Sequence, residues 1–280
     1  MKRIILPTDF SENALNGIRY AVQLFKDVET TFYILNTYIP TIYQAEYVLH
    51  SPAQIGLGDI YQESSSSQLE ELKKSLVDEF KNTNHTFLVH SAYNVLVDEI
   101  LKTAENEKAD LIVMATQGAT GAKEILLGTN TVHMIQKSTC PIIAVPSNFE
   151  YEPPKEILFP TDYEVDYKKT PLNCLLDIAH DHISSIEVIH ASSGYDLTET
   201  QLRNKKNLDQ ILGKIDHLFH DLPNQGVIEA INTFQIKKPM NLLVMVKNKH
   251  TFLERLFIEP IIKKIGFHVN IPFMVLPYSE

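Results

Sequence analysis

The same sequence pattern occurs twice along this chain, and the duplication limits the folds that it can adopt. RIILPTDFS at 3–11 reappears as EILFPTDYE at 156–164. Two later pairs of segments share one constant offset, which we call the later alignment: ADLIVMATQ (109–117) matches MNLLVMVKN (240–248), and CPIIAVP (140–146) matches IPFMVLP (271–277). A repeat of this length predicts two copies of one domain.

The offset between matching segments is smaller in the later alignment than in the first pair, so the two copies differ in length. A chain of 280 residues is long enough for two domains of ordinary size. We place them at 1–148 (the first half) and 153–280 (the second half). The extra residues of the first half are predicted between its second strand and second helix, in the segment 38–62.

Short apolar runs alternate with helical periodicity, which predicts an α/β fold. In the first half the strand candidates are 3–7, 30–37, 85–91, 109–115 and 141–146. Apolar residues recur with the period of an amphipathic helix at Ala14, Ile18, Ala21, Val22 and Phe25. The serines at 64–67 are predicted to begin the second helix. Because the strands are almost wholly apolar, each half is predicted to be a β/α layer domain with a parallel five-stranded sheet.

Composition excludes several classes of function. The net charge of −10 argues against a broad surface for nucleic acid or anionic lipid. The sequence contains no apolar run of membrane-spanning length and no signal peptide, so we expect a cytoplasmic protein without a membrane partner. The two cysteines imply no disulfide framework, and the histidine pairs lack a third ligand, so no metal site formed by side chains is expected.

The segment MATQGATGAKEILLGTNT at 114–131 has the features of an anion-binding loop. It follows a predicted strand, and Gly128-Thr129 opens a predicted helix whose first amides can bind a negative group. It has neither the Gly-Lys-Ser/Thr ending of a Walker loop nor the spacing of a dinucleotide fingerprint. The residues alone leave open whether the glycines bind a ligand or only form a long turn.

Gly118, nine intervening residues and Gly128-Thr129 resemble the nucleotide loop of the universal stress protein family. PTDFS after the first strand and CPIIAVP at the last strand are also similar to that family, and the resemblance covers the whole chain as two tandem copies. It implies the adenine nucleotide alpha hydrolase-like fold, and a pseudo-dimer in which the two halves pair through their last strands. It leaves open a further homodimer and an unknown protein partner.

The resemblance also implies an ATP site in the first half. Pro7, Thr8 and Asp9 would border the adenosine, and Thr37 would offer backbone groups to adenine. The ribose and phosphates would be bordered by Met114, Ala115, Gln117 and Gly118, and the phosphates would be held by Gly128, Thr129 and Asn130. Mg²⁺ or Mn²⁺ would accompany the phosphates. Asp9 could equally cap the first helix, and the two roles are compatible.

Ala115 departs from the family pattern, which has glycine at this position. If the position needs a positive φ, alanine strains the loop by about 1 kcal/mol; if it only contacts the ligand, the methyl group crowds it.

The second half lacks the loop. In the later alignment, Lys249 stands where Gly118 stands, and Glu259-Pro260 replaces Gly128-Thr129. Glu259 would place a carboxylate where a phosphate would bind, and Pro260 removes a donor amide. We therefore predict that nucleotide binding is confined to the first half.

Three kinds of function follow from this interpretation. The first is a stress-linked regulatory protein that binds ATP or a related adenine nucleotide. The second is an enzyme, a slow ATPase, although the sequence offers no evident general base beside the loop and we assign no catalytic residue. The third is a nucleotide-free scaffold that acts through protein partners.

Overall fold

The computed structural model describes residues 1–38, 57–116, 128–147, 149–192, 194, 196–247 and 270–278. The strands are Lys2–Pro7 (β1), Thr30–Thr37 (β2), His85–Ala92 (β3), Leu111–Ala115 (β4), Ile142–Val145 (β5), Glu156–Pro160 (β6), Ser185–Ser192 (β7), Asp216–Pro223 (β8), Leu242–Lys247 (β9) and Phe273–Pro277 (β10). The helices are Glu12–Leu24 (α1), Leu57–Phe80 (α2), Leu96–Glu107 (α3), Thr129–Lys137 (α4), Asn173–His182 (α5), Glu199–Leu212 (α6) and Val227–Lys237 (α7), with a short 3₁₀ helix at Tyr167–Lys169. None of the helices in these ranges is long and apolar enough to cross a membrane.

The ten strands form one continuous sheet in the order β3-β2-β1-β4-β5-β10-β9-β6-β7-β8. Within each half the neighbouring strands are parallel. The two halves meet where β5 and β10 pair in antiparallel orientation. The predicted α/β class, the parallel five-stranded sheets and the pairing through the last strands are therefore confirmed.

The junction between the halves has approximate twofold symmetry. Ile143 lies opposite Met274, and these two residues are equivalent in the later alignment of the repeat. Both are fully buried, in a core that continues across the junction beneath α1, α2, α5 and α6. A second core on the opposite face lies beneath α3, α4 and α7. Each face of the joined sheet thus has an apolar layer that includes both halves.

The strand order in each half creates one place suited to a ligand. In the first half, β1 lies between β2 and β4, so the connections from β1 and β4 leave in opposite directions. In parallel α/β sheets a crevice opens at the carboxyl ends of such strands. The Pro-Thr-Asp sequence follows β1, and Gly128-Thr129 at the start of α4 is hydrogen-bonded to the chain that leaves β4, so both lie at this crevice.

The predicted start of the second helix is wrong. α2 begins at Leu57, so the serines at 64–67 lie inside the helix and do not cap it. Ser65 is buried, and its hydroxyl donates to Asn36 Oδ1 over 2.7 Å. Serine is tolerated in a helix interior when tertiary structure gives its hydroxyl a partner, and this partner was not visible in the local sequence. The rest of the predicted insertion, 39–56, lies outside the described residues.

Candidate functional site

A cleft of about 230 Å³ opens at the carboxyl ends of β1 and β4. Its floor is formed by strand ends, and its side by the amino-terminal end of α4. The described lining residues are Pro7, Thr8, Asp9, Ala14, Leu96, Met114, Ala115, Gly128, Thr129, Asn130 and Thr131. The cleft therefore lies at the crevice that the strand order creates.

The amino-terminal end of α4 is fixed against β4 but has no side-chain cap. Gly128 is the N-cap residue, with φ −63° and ψ 152°. Its amide donates to the carbonyl oxygen of Thr116 over 2.5 Å, and the hydroxyl of Thr131 donates to the carbonyl oxygen of Ala115 over 3.1 Å. Because glycine has no side chain, it cannot satisfy the first helical amides as a serine or threonine would. Those amides and the positive end of the helix dipole are suited to an external anion.

The Pro-Thr-Asp turn after β1 is held by its own side chains. The amide of Phe10 donates to Thr8 Oγ1 over 2.9 Å, and Phe10 has a φ of 62°. Asp9 Oδ1 accepts from the amide and the hydroxyl of Ser11, over 3.1 and 2.6 Å. Ser11 in turn caps α1 by accepting from the amide of Ala14 over 3.2 Å. Asp9 therefore orients the helix cap and is not the cap itself, while it also lines the cleft.

Ala115 adopts ordinary strand geometry. It is the last residue of β4 and pairs with Val145 in parallel register, and its φ is not positive. The strain considered for alanine at this position is therefore absent, and only its methyl group beside the cleft distinguishes it from glycine. The backbone is closely approached from the other side, where a Cβ on Gly17 would lie 3.2 Å from the Ala115 nitrogen.

The structure brings eight of the eleven predicted site residues around the cleft. They are Pro7, Thr8, Asp9, Met114, Ala115, Gly128, Thr129 and Asn130. Thr37 is the last residue of β2, at the same edge of the sheet, but is not among the described lining residues. Gln117 and Gly118 lie outside the described residues.

Residues 1–146 match the family model described as "Universal stress protein family", which is more than half of the chain. The chain belongs to the universal stress protein family.

Comparisons with individual proteins agree with this assignment. One universal stress protein of Methanocaldococcus jannaschii is 34% identical over 156 residues, covering 51% of this chain and 94% of the relative. A second from the same organism is 29% identical over 153 residues, covering 51% of this chain and 81% of the relative. The crystal structure of a universal stress protein from Archaeoglobus fulgidus has the same fold, with a TM-score of 0.69 and 17% identity over 99% of this chain and 97% of that one.

The second half of this universal stress protein keeps the Pro-Thr-Asp turn and packs a tyrosine against its threonine. The amide of Tyr163 donates to Thr161 Oγ1 over 3.0 Å, and Tyr163 has a φ of 58°, as at Phe10. Tyr167, from the 3₁₀ helix that the sequence did not predict, is buried and hydrogen-bonded to the Thr161 hydroxyl. Burial raises the pKa of Asp162, whereas Asp9 is exposed. Lys249, Glu259 and Pro260 lie outside the described residues.

A buried polar network behind the turn of the first half was missed by sequence reasoning. Asn36 Nδ2 donates to the carbonyl oxygen of Thr8 over 2.8 Å, and Ser65 Oγ lies 2.7 Å from Ser91 Oγ while it donates to Asn36. In the second half, His190 Nδ1 lies 2.9 Å from the carbonyl oxygen of Thr161. Both halves therefore anchor the backbone of the turn with a side chain of the adjacent strand. The recurrence of a polar residue near the end of an apolar strand was the available signal.

A second missed feature is a buried glutamate on α3, the helix whose first residue, Leu96, lines the cleft. Glu99 is 4% exposed, Asn94 Nδ2 donates to its Oε2 over 2.7 Å, and His90 Nε2 lies 2.8 Å from its Oε1. The hydrogen bond from Asn94 lowers the pKa of Glu99, and its contacts with His90 and Lys102 act in the same direction. The network fixes the start of α3 against β3.

We expect Glu99→Gln to reduce the free energy of unfolding by about 1–2 kcal/mol near neutral pH, because charge-assisted hydrogen bonds become ordinary ones. A carboxyl whose pKa is lowered in the folded state stabilises that state above its ordinary pKa, which is 4.5 for glutamate. That stabilisation is lost as the pH falls through the lowered value, so the difference between variant and wild type should vanish in acid. Urea unfolding across the acid range measures it. Glu105→Gln, on the exposed face of α3, is the matched control, and an equal loss in the control would contradict the prediction.

Proposed function

We propose that this universal stress protein binds an adenine nucleotide, with ATP as the first candidate, in the cleft of its first half. The observation that carries the proposal is the position of the uncapped α4 terminus, which faces the same cleft as the Pro-Thr-Asp turn. One motif supplies amides and a positive dipole end for phosphates, and the other lies at the same edge of the sheet, after β1, for the nucleoside. Both motifs belong to the family pattern from which the site was predicted.

The chemistry of the described lining suits such a ligand. Gly128 lets phosphate oxygens approach the helix backbone, and the hydroxyl of Thr129 can donate to them. Pro7, Leu96 and Met114 supply apolar surface for a base or ribose. In this proposal Mg²⁺ or Mn²⁺ accompanies the phosphates and offsets their charge, which matters in a protein of net charge −10.

We propose a regulatory binding protein of the cytoplasm in preference to an enzyme. Among the described lining residues the single titratable side chain is that of Asp9, and its Oδ1 already accepts from Ser11. Positioned cations and a base for the attacking water are the usual requirements of phosphoryl transfer. In this proposal the nucleotide is held as a signal, and the second half acts as a structural partner.

Calorimetric titration of the full chain with ATP tests the proposal. We expect saturable binding, strengthened by Mg²⁺, and a rise in melting temperature, since ATP at 100 times its Kd adds about 2.7 kcal/mol. If millimolar ATP produces neither heat nor a thermal shift, the remaining function is that of a nucleotide-free scaffold. Sustained ATP hydrolysis that Asp9→Ala abolishes would instead establish the enzyme and overturn pure binding.

A further inference from the structure

Lys247, the last residue of β9, connects the second half to the carboxyl end of α4 in the first half. Its ammonium donates to the carbonyl oxygen of Gln136 over 2.9 Å and to that of Ser138 over 3.1 Å. Ser138 is the C-cap residue of α4. The helix that begins at the candidate phosphate site is therefore held at its other end by the opposite half.

The contact has a clear chemical basis. The last carbonyl groups of a helix lack intrahelical donors and carry the negative end of the dipole, so a lysine ammonium is a favourable partner. Lys247 is half-buried, and this burial lowers its pKa. Its two carbonyl contacts offset the loss of hydration, which explains why the side chain stays in this position.

The two ends of α4 are linked by a short, rigid element. The helix has nine residues, so it spans about 13 Å. Lys247 is half-buried, so its charge is screened less than that of an exposed lysine, but over that distance its direct attraction to a phosphate is weak. The larger influence on the amino-terminal end therefore acts through the position of the helix, and Lys137, which has the same charge at the same helix end, controls for direct attraction.

The repeat shows that the lysine is a specialisation of the second half. In the later alignment, Lys247 corresponds to Thr116, whose carbonyl oxygen accepts from the amide of Gly128. At the amino-terminal end, α4 is attached through Gly128 and Thr131 to the end of β4. The end of β4 therefore holds the amino-terminal end of α4, and the end of the equivalent strand β9 holds its carboxyl-terminal end.

We propose that Lys247 is a positioning residue that orients the first turn of α4 for phosphate binding, which makes the second half a support for the site of the first. This inference rests on the proposed nucleotide function. It predicts an effect on ligands that carry phosphates and none on adenosine, which has no phosphate for the α4 amides to bind.

The test compares Lys247→Met with wild type in titrations with ATP and with adenosine. We expect Lys247→Met to weaken ATP binding by about threefold to tenfold and adenosine binding by less than about twofold. Lys247→Arg, which can still donate to both carbonyl oxygens, should retain most of the ATP affinity. Lys137→Met is the matched control, because Lys137 is a mostly exposed lysine at the same helix end whose Nζ lies 3.8 Å from Asp98.

Hydrogen exchange of the α4 amides in the absence of ligand gives a second readout. We expect faster exchange in Lys247→Met at the amides of Gly128 and Val132, which donate to the carbonyl oxygens of Thr116 and Gly128, and no change in Lys137→Met. If Lys247→Met fails to fold, Lys247→Gln, whose side chain is shorter and uncharged, is measured in its place, with the same expected loss of ATP affinity. Equal weakening of ATP and adenosine, or an equal effect of Lys137→Met, would overturn the inference. If wild type binds no ATP, the proposed function fails, and the exchange data still show whether Lys247 orders α4.

Discussion

Gly128→Glu should weaken ATP binding by at least about 100-fold, because a carboxylate at the α4 terminus would repel a polyphosphate at close range by several kcal/mol. The same carboxylate would interact favourably with the helix dipole and add about 0.3–1 kcal/mol to the free energy of unfolding. The backbone of Gly128, with φ −63° and ψ 152°, is accessible to any residue, so the substitution causes no backbone strain. We therefore expect binding and stability to change in opposite directions. Calorimetric titration and thermal unfolding measure the two quantities.

Gly128→Gln separates charge from bulk in this experiment. Glutamine has nearly the same size and shape as glutamate and carries no charge, so it should weaken ATP binding far less than glutamate does. If the two variants lose affinity equally, steric exclusion and not electrostatic repulsion governs the site. If neither loses affinity, the nucleotide does not bind at α4.

Ile143→Asp should reduce the free energy of unfolding by about 4 kcal/mol or more, which is a large part of the stability of an ordinary domain. Ile143 is fully buried and lies opposite Met274 at the junction of β5 and β10. A carboxylate there would lose its hydration without gaining a partner, in the core that the two halves share. Urea unfolding followed by circular dichroism measures the loss.

Leu88→Asp is the matched control for this prediction. Leu88 lies on β3, at the outer edge of the same sheet, and is 43% exposed. The same change of side chain should cost less than about 1 kcal/mol there, since the carboxylate remains in water. A small effect of Ile143→Asp, comparable to that of the control, would mean that the β5–β10 pairing contributes little to stability.

Secondary structure could be predicted from the sequence where apolar periodicity over a few residues determines it. Strands β1 to β5 and helix α1 were predicted from such patterns. The signal is clearest for β1, β4 and β5, because a strand buried on both faces is apolar throughout. The start of α2 was wrong because the partners of Ser65, on β2 and β3, are distant in sequence. The contact of Tyr167 with Thr161 was missed for the same reason, because it forms only after the chain folds back as a 3₁₀ helix.

In the candidate site, too, the local motifs could be predicted from the sequence and the long-range contacts could not. The Pro-Thr-Asp turn and the glycine at the start of α4 are local motifs, so the sequence could nominate Asp9 and Gly128 without a structure. The geometry of Ala115 could not be obtained this way, because a φ angle depends on the strand pairing that the whole sheet imposes. The support of α4 by Lys247 could not be predicted either, because its contacts are with residues far away in the chain.

By itself, the sequence determined the family, the duplication, the α/β class and the position of the two motifs that meet at the cleft. These follow from residue patterns that fix secondary structure and turns over a few residues. Tertiary structure alone decided which residues anchor the turns, that Ala115 is unstrained, and that the second half holds the far end of α4. Those features depend on contacts between distant segments, and such contacts exist only once the sheet of ten strands has brought both halves together.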